Sequence, residues 1–562
     1  MDIAQAAAQP AFRDHLVDML VKICEIDTTP QADVARFAAN EAAIFDILES
    51  DIQSYGLDQS RLERRPMNPD IDKHPFFSQL YYTKSPDQPD GLSAAECYKG
   101  RSNMLLFVDG EQASDAGRNF ALNAHIDVIA PYIPPSVKGD TVFGRGACDD
   151  KGNVVAMMGA LKLVGEYLKA TGKKLNKNLT CMFVLDEESG GNGSLSLAID
   201  RDLKKNYDSL MVLEICENRL FPANRGAVWY KVEAKLPGAN LFEAAAYIIA
   251  QMEAEGRSIR AESRHDLFPH RPVQTCHGII GNWGGHPSRI NGKAAFDIVI
   301  DGPHAADART MIGDIIQFAL DEYCGVYGDK TKVNDKTTGK PKVDHHYDFE
   351  EADHGFTVTV HGATGHMGSI FENDGAITKM MTMARALMRS REAISRVAGG
   401  DVTLRLNGWD DVSHLILEGG QGFLPTHELE EVQTRLTRAV HRGAEQYLRT
   451  SGRKDMAADL FKVTFEKLHN AAFDGDPDSP DMRNAIECAK KAGIWEDQPI
   501  RGWDVSCDSR IFAKEYPDLT VLTTGPGSLI YAHGDQEQID IPEMIKAAEF
   551  LAYYILKQTG TA

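Results

Sequence analysis

The sequence predicts an α/β domain on a mixed sheet with crossover helices, interrupted by a separate α+β layer. Three observations predict it. From Asn103 to Glu214, short apolar runs alternate with a helical stretch; after Arg225 the pattern becomes strand, long helix, strand with one polar face; and from about Leu460 the first pattern returns. Residues 1–225 and 455–562 therefore read as the two parts of one domain, and 226–454 as its insert.

Taken in order, Met1–Thr29 has the spacing of an amphipathic helix, and its charges Asp2, Arg13, Asp14, Asp18 and Glu25 suit neither a signal peptide nor a membrane span. Residues 66–100, rich in Pro, Asp and Tyr, read as a surface excursion. Met104–Val108, Phe120–Ala124, Leu179–Leu185 and Leu210–Leu213 read as buried strands, and Val154–Leu168 as a long helix. Strands then end just before His125, Asp186 and Glu214, where ligands gather in open α/β sheets. Within the insert, Val228–Lys235, Leu241–Glu253, Ala294–Ile300 and Ala306–Tyr323 are echoed by Phe356–His361, Gly375–Met388, Val402–Leu406 and His427–Leu448. This predicts a weak internal duplication, with halves at about 226–328 and 355–454 joined by the polar link Asp329–His354. The returning α/β part predicts helices at Met482–Ala492, around Phe512 and at Pro542–Leu556, with a strand at Leu519–Thr523.

Composition narrows the function classes. At 562 residues the chain exceeds one core, and 43% hydrophobic with 25% charged residues fits an ordinary globular protein. With 60 Lys plus Arg against 82 Asp plus Glu, the formal charge of −22 argues against nucleic-acid and anionic-membrane partners. Nine scattered cysteines without a CxxC pair predict reduced thiols in a cytosolic protein. Any metal must then be held by His and carboxylates.

Four clusters carry chemistry. Asn123-Ala-His125-Ile-Asp127 offers an imidazole with a carboxylate two residues on, either a ligand and its orienting partner or a structural histidine. Gly144-Arg-Gly-Ala-Cys-Asp149-Asp150-Lys151-Gly152 delivers a carboxylate before a helix, where it caps or bridges cations. Asp186-Glu187-Glu188 places three acids after an apolar strand, so they are solvated, partly protonated or neutralised by a cation; Glu214 has the same ambiguity. Gly525-Pro-Gly527 leads to Ala532-His533-Gly-Asp-Gln-Glu537. Together they supply His, Asp, Glu, Glu and His at strand ends, enough for two zinc ions sharing one carboxylate.

"HID", "GRGACDDKG", "DEES", a later Glu, "SCDSR" and "GPG…AHGDQE" appear in the order of the signature blocks of the two-zinc metallopeptidases. The chain resembles this family, which includes aminoacylases, acetylornithine deacetylase, succinyl-diaminopimelate desuccinylase, glutamate carboxypeptidases and carnosinase-type dipeptidases. The resemblance implies a zinc-peptidase catalytic domain with an inserted lid, and two zinc ions per chain; cobalt or manganese suits similar ligands. It implies His125, Glu214 and Asp149 on one zinc, and Glu188, His533 and the shared Asp149 on the other. Glu187 falls on the general base that activates water for attack on an amide, and Asp127 on the partner of His125. His366 falls on a lid histidine that stabilises the tetrahedral intermediate, with a core histidine as the alternative. Arg510 resembles a residue that grips a substrate carboxylate, and Asn291 falls on a lid asparagine, with a turn residue as the alternative.

The first half of the insert has Pro237-Gly-Ala-Asn240 where a lid histidine motif would sit, and only the second half has His366. This is similar to the monomeric dipeptidase branch, and implies an active site complete within one chain. The implied reaction is hydrolysis of a C–N bond beside a free carboxylate in a dipeptide or N-acyl amino acid. The alternatives are a deacylase or ureido-amide hydrolase on a non-peptide, and a non-catalytic binding protein on the same scaffold. Cys148 reads as a small buried side chain, and His345, His346 and His354 as a solvated segment rather than a third metal site.

Overall fold

The apolar runs of the first pattern assemble into one six-stranded sheet. A computed structural model describes residues 2–85, 87–334, 339–367, 374–467 and 469–562. The strand order is Ser60–Pro66, Ser102–Val108, Leu179–Val184, Phe120–His125, Ser209–Leu213, Thr520–Thr524. The last four run parallel, while the first two pair antiparallel. Every residue of Leu179–Val184, Phe120–His125 and Ser209–Leu213 is buried, as continuous apolar strands covered on both faces should be.

The long helix Lys151–Thr171 packs against Ile541–Thr559 and Pro10–Cys24. Gly159 permits this approach: a Cβ there would lie 3.0 Å from both Ala548 Cβ and Leu16 Cδ2. The helix stops at Gly172, whose φ of 67° is the left-handed conformation of a C-terminal cap. Among the described residues, no helix is long and apolar enough to cross a membrane.

Residues 66–100 depart from the expectation of a surface excursion. Ile71, Ser78, Leu80, Thr83, Ala94 and Cys97 are buried, because the segment folds its apolar residues onto the first unit's core, while Asp70, Asp72, Pro75, Asp87, Pro89 and Asp90 stay exposed.

The chain divides into two units: Met1–Gly226 with His265–His270 and Lys467–Ala562, and Ala227–Arg264 with Arg271–Glu466. In the second unit the duplication takes the form of strand exchange. One sheet contains the run Thr275–Ile280, His414–Phe423, Gly226–Lys235, Lys462–Thr464, with the two-residue Trp283–Gly284 beside Thr275–Ile280; the other runs Asp401–Leu406, Lys293–Asp301, Gly355–His361, Tyr347–Ala352. Numbering the four strands of three or more residues in each half in chain order, both sheets read second, third, first, fourth. In each, the first and second come from one half and the third and fourth from the other. The match differs from the sequence pattern: Lys293–Asp301 corresponds to His414–Phe423, and Val402–Leu406 lies in the strand matching Thr275–Ile280. The fourth strands fall in the polar link and after 454, because edge strands carry exposed polar residues that mask their strand character.

Candidate metal centre

The parallel strands place their carboxyl ends together, and each end delivers one functional segment. Phe120–His125 ends in His125, whose backbone N–H donates to Asp150 Oδ2 at 3.1 Å. Its Nδ1 lies 3.0 Å from the Asp127 carbonyl oxygen and 3.4 Å from Asp127 Oδ1. A proton on Nδ1 satisfies both, which turns the Nε2 lone pair outward as a ligand. The Asp127 carboxylate also accepts from Glu187 N and Glu188 N at 3.0 Å each. One buried side chain thus orients the imidazole and holds the acidic turn.

That turn follows Leu179–Val184. Gly191 N donates to Asp186 O at 2.8 Å and Gly190 N to Glu187 O at 2.8 Å. Asp186 adopts φ 58°, a left-handed conformation that is uncommon outside glycine and clusters at functional sites. His533 shares it, at φ 61°. Glu214 follows Ser209–Leu213, with its N–H donating to Thr524 O of the neighbouring strand at 2.8 Å.

Asp149 sits between these segments. Its Oδ1 lies 3.3 Å from His125 Nε2, which is 3.8 Å from Glu214 Oε1. Its Oδ2 lies 3.2 Å from His533 Nε2, which is 3.1 Å from Glu188 Oε1. The structure therefore brings His125, Asp149, Glu214, Glu188 and His533 into two groups sharing Asp149, the ligand atoms of each within 4.8 Å of one another. Glu187 lies at the same turn and is the partly exposed member of the acidic set.

The electrostatics fit two cations. Burial pushes Glu187 and Glu214 well above the usual carboxylate range, and Asp508 and Asp149 respectively push them further. Burial also raises Glu188, with His533 opposing and Asp149 assisting. His125 Nε2 is buried without a hydrogen-bond partner although two carboxylates face it. An orphaned imidazole nitrogen among crowded acids is what a bound divalent ion would satisfy.

Sequence reasoning passed over several residues that hold this arrangement. Glu537, the last residue of its motif, is buried; its Oε1 accepts from Gly146 N at 2.8 Å and Asp149 N at 3.2 Å, and its Oε2 pairs with Arg145. It fixes the turn carrying Asp149. Lys151 is buried and donates from Nζ to Ile23 O at 3.0 Å and Ile26 O at 2.8 Å, tying the N-terminal segment to the same turn. The signal in both cases was a charged residue inside a glycine-rich motif.

Arg510 is 2% exposed and donates from Nη2 to Gly190 O at 2.9 Å, while its Nε is buried without a hydrogen-bond partner. His366 and Asn291 lie in the second unit. His366 pairs in register with Arg289 in a short ladder, and Asn291 follows that ladder with its Nδ2 on Lys293 O at 2.6 Å. Cys148 is fully buried, and all nine cysteines are free thiols. His345 and His361 share the Asp348 carboxylate at 2.9 and 2.7 Å. His346 lies between Asp329 and the Lys379 ammonium.

Replacing Asp127 by Asn removes the charge behind His125. Metal affinity is expected to fall about 10- to 100-fold, measured by competition with a chromogenic chelator; an unchanged affinity would show that Asp127 does not tune the imidazole.

A Peptidase M20 domain-containing protein of Schizosaccharomyces pombe is 26% identical over 222 residues, 39% of this chain and 43% of that protein. Carboxypeptidase G2 of a Pseudomonas species is 34% identical over 95 residues, 16% of this chain and 22% of that one. The matched stretches thus span less than half the length of these relatives. Among solved structures, human carnosine dipeptidase 1 aligns with a TM-score of 0.56 and 13% identity over 99% of both chains. The di-peptidase Dug1p of Saccharomyces cerevisiae aligns with a TM-score of 0.57 and 12% identity, over 99% of this chain and 98% of its own. These two are likenesses of fold. The family model for peptidase family M20/M25/M40 matches residues 121–557, which contain every segment of the centre, and the chain belongs to that family.

Proposed function

We propose that the protein is a two-metal amide hydrolase that cuts the C–N bond of a dipeptide or N-acyl amino acid bearing a free carboxylate. The observation that carries this reading is Asp149, whose two oxygens face two separate His and carboxylate pairs. His125 and Glu214 would hold one cation, Glu188 and His533 the other, with Asp149 shared. Zinc suits this set of nitrogen and oxygen donors. Cations bound there would polarise the scissile carbonyl and acidify water. Glu187, whose burial makes its carboxylate a stronger base, takes a proton from the attacking water and passes it to the leaving nitrogen. Asp127 keeps the turn carrying Glu187 in place through its two backbone bonds.

For Arg510 the proposed role is contact with the substrate carboxylate, supported by its unpartnered Nε donor. For His366 it is stabilisation of the developing oxyanion, and for Asn291 assistance in the same step.

The test is a panel of dipeptides, N-acyl amino acids and matched amides lacking the carboxylate. Hydrolysis of the carboxylate-bearing members is expected, with KM raised in Arg510→Met and kcat lowered in His366→Ala and, less, in Asn291→Ala. Equal turnover of the amides without a carboxylate would exclude the proposed substrate class.

A further inference from the structure

The segment read as a surface excursion reaches the acidic turn from behind. Arg101, just past its end, is fully buried and donates from Nη2 to Asp186 Oδ1 at 2.7 Å, from Nε to Glu41 Oε2 at 2.8 Å and from Nη1 to Tyr82 OH at 2.9 Å. The hydroxyls of Tyr82 and Tyr98 donate to Asp186 Oδ2 at 3.1 and 2.8 Å. The Asp186 side chain is completely enclosed, and among the described residues its carboxylate's hydrogen-bond partners all come from residues 82–101.

The other end of the turn is held by the same segment. Asn192 donates from Nδ2 to Ser78 O at 2.8 Å and to Tyr98 OH at 2.9 Å, and accepts from Ser78 N at 3.0 Å. Ser78 Oγ donates to Gly190 O at 3.2 Å, and a Cβ on Gly190 would meet that Oγ at 2.1 Å. Glu187 and Glu188 therefore lie between two anchors, Asp186 and Asn192, both fastened to residues 78–101. Asp186 occupies a left-handed conformation that costs energy in a non-glycine residue. The charge-assisted bonds to its carboxylate offset that cost.

We propose that residues 78–101 set the position of the Glu187–Glu188 turn, with Arg101, Tyr82 and Tyr98 as positioning residues that act through Asp186. Among the described residues, the hydrogen bonds of the three reach Asp186, Glu41, Asn192 and one another's segment rather than a candidate ligand, so their effect passes through the backbone of the residue preceding Glu187. This inference rests on the hydrolase reading, since what is positioned is the proposed base. A buried network of this kind holds one geometry when every member is satisfied. Small displacements of a catalytic group are costly in rate.

The experiment compares the wild type with Tyr98→Phe, Tyr82→Phe and the double variant, which keep ring volume and remove only the hydroxyls. Arg101→Lys and Arg101→Met are run beside them. For each, kcat, KM, bound metal and Tm are measured. Phe550→Leu, in a helix far along the chain, serves as a control that lowers Tm alone.

The double Tyr variant is expected to lose about tenfold or more in kcat. KM should stay within about twofold and metal content should be unchanged, with Arg101→Lys recovering part of the rate lost in Arg101→Met. Variants that lose Tm as the control does while keeping wild-type kcat would overturn the proposal and leave a structural brace. A wild type that binds metal but hydrolyses nothing would instead overturn the hydrolase reading, a separate result read from the unmodified protein.

Discussion

Replacing Glu187 by Gln is expected to lower kcat about a hundred- to ten-thousandfold while leaving bound metal unchanged. Glutamine has the same shape and still accepts a hydrogen bond, but it cannot take up a proton at neutral pH. The anchors of the turn survive: Asp127 holds it through the Glu187 and Glu188 backbone N–H groups, and Glu188 rather than Glu187 faces His533. Loss of rate without loss of metal separates a proton carrier from a ligand. Steady-state kinetics with elemental analysis on one preparation reads both. Retained turnover would remove Glu187 from the mechanism, and lost metal would make it a ligand.

The second large effect is Asp149→Ala. This one carboxylate contributes an oxygen to each group, so its removal leaves each with one imidazole and one carboxylate. Bound metal is expected to fall from two ions per chain to less than one, with hydrolysis lost. Stability should respond differently in two conditions. An ion held at about a thousand times its Kd stabilises the folded chain by about 4 kcal/mol, so in excess metal the variant should melt below the wild type. In chelator the gap should narrow, because the metal linkage is gone and what remains is the pairing of Asp149 with His125 and His533, opposed by the push it gives Glu188 and Glu214. Equal melting points in metal would show that Asp149 bridges nothing.

Legibility followed burial and motif. The parallel strands read as continuous apolar runs because both faces are covered, and that fixed where His125, Asp186 and Glu214 emerge. Strands with one exposed edge were harder to see. Tyr347–Ala352 and Lys462–Thr464 are short and polar, so the first falls in the polar link and the second in the returning α/β part when read from sequence, and the exchange of strands between the two halves stays hidden. Exchange is a matter of pairing partners, which periodicity within one segment does not encode.

The candidate ligands were visible because each stands at the end of an apolar run or inside a glycine-rich block. Their supports were not. Arg101 is an ordinary charged residue in sequence, and Glu537 stands out only by lying in a motif; the fold shows that one anchors Asp186 and the other the turn of Asp149. Residues 66–100 looked like surface for the same reason: their composition is polar, while their buried minority makes the contacts that matter.

Metal content measured with activity bears most directly on the two-metal reading. Purified protein would be analysed for bound metal by elemental analysis and assayed on the dipeptide and N-acyl amino acid panel, before chelation, after chelation and after metal is returned. The account predicts two ions per chain, loss of hydrolysis with the ions and recovery with their return. Fewer than one ion per chain in the presence of added zinc, or hydrolysis that persists unchanged after the metal is stripped, would contradict it.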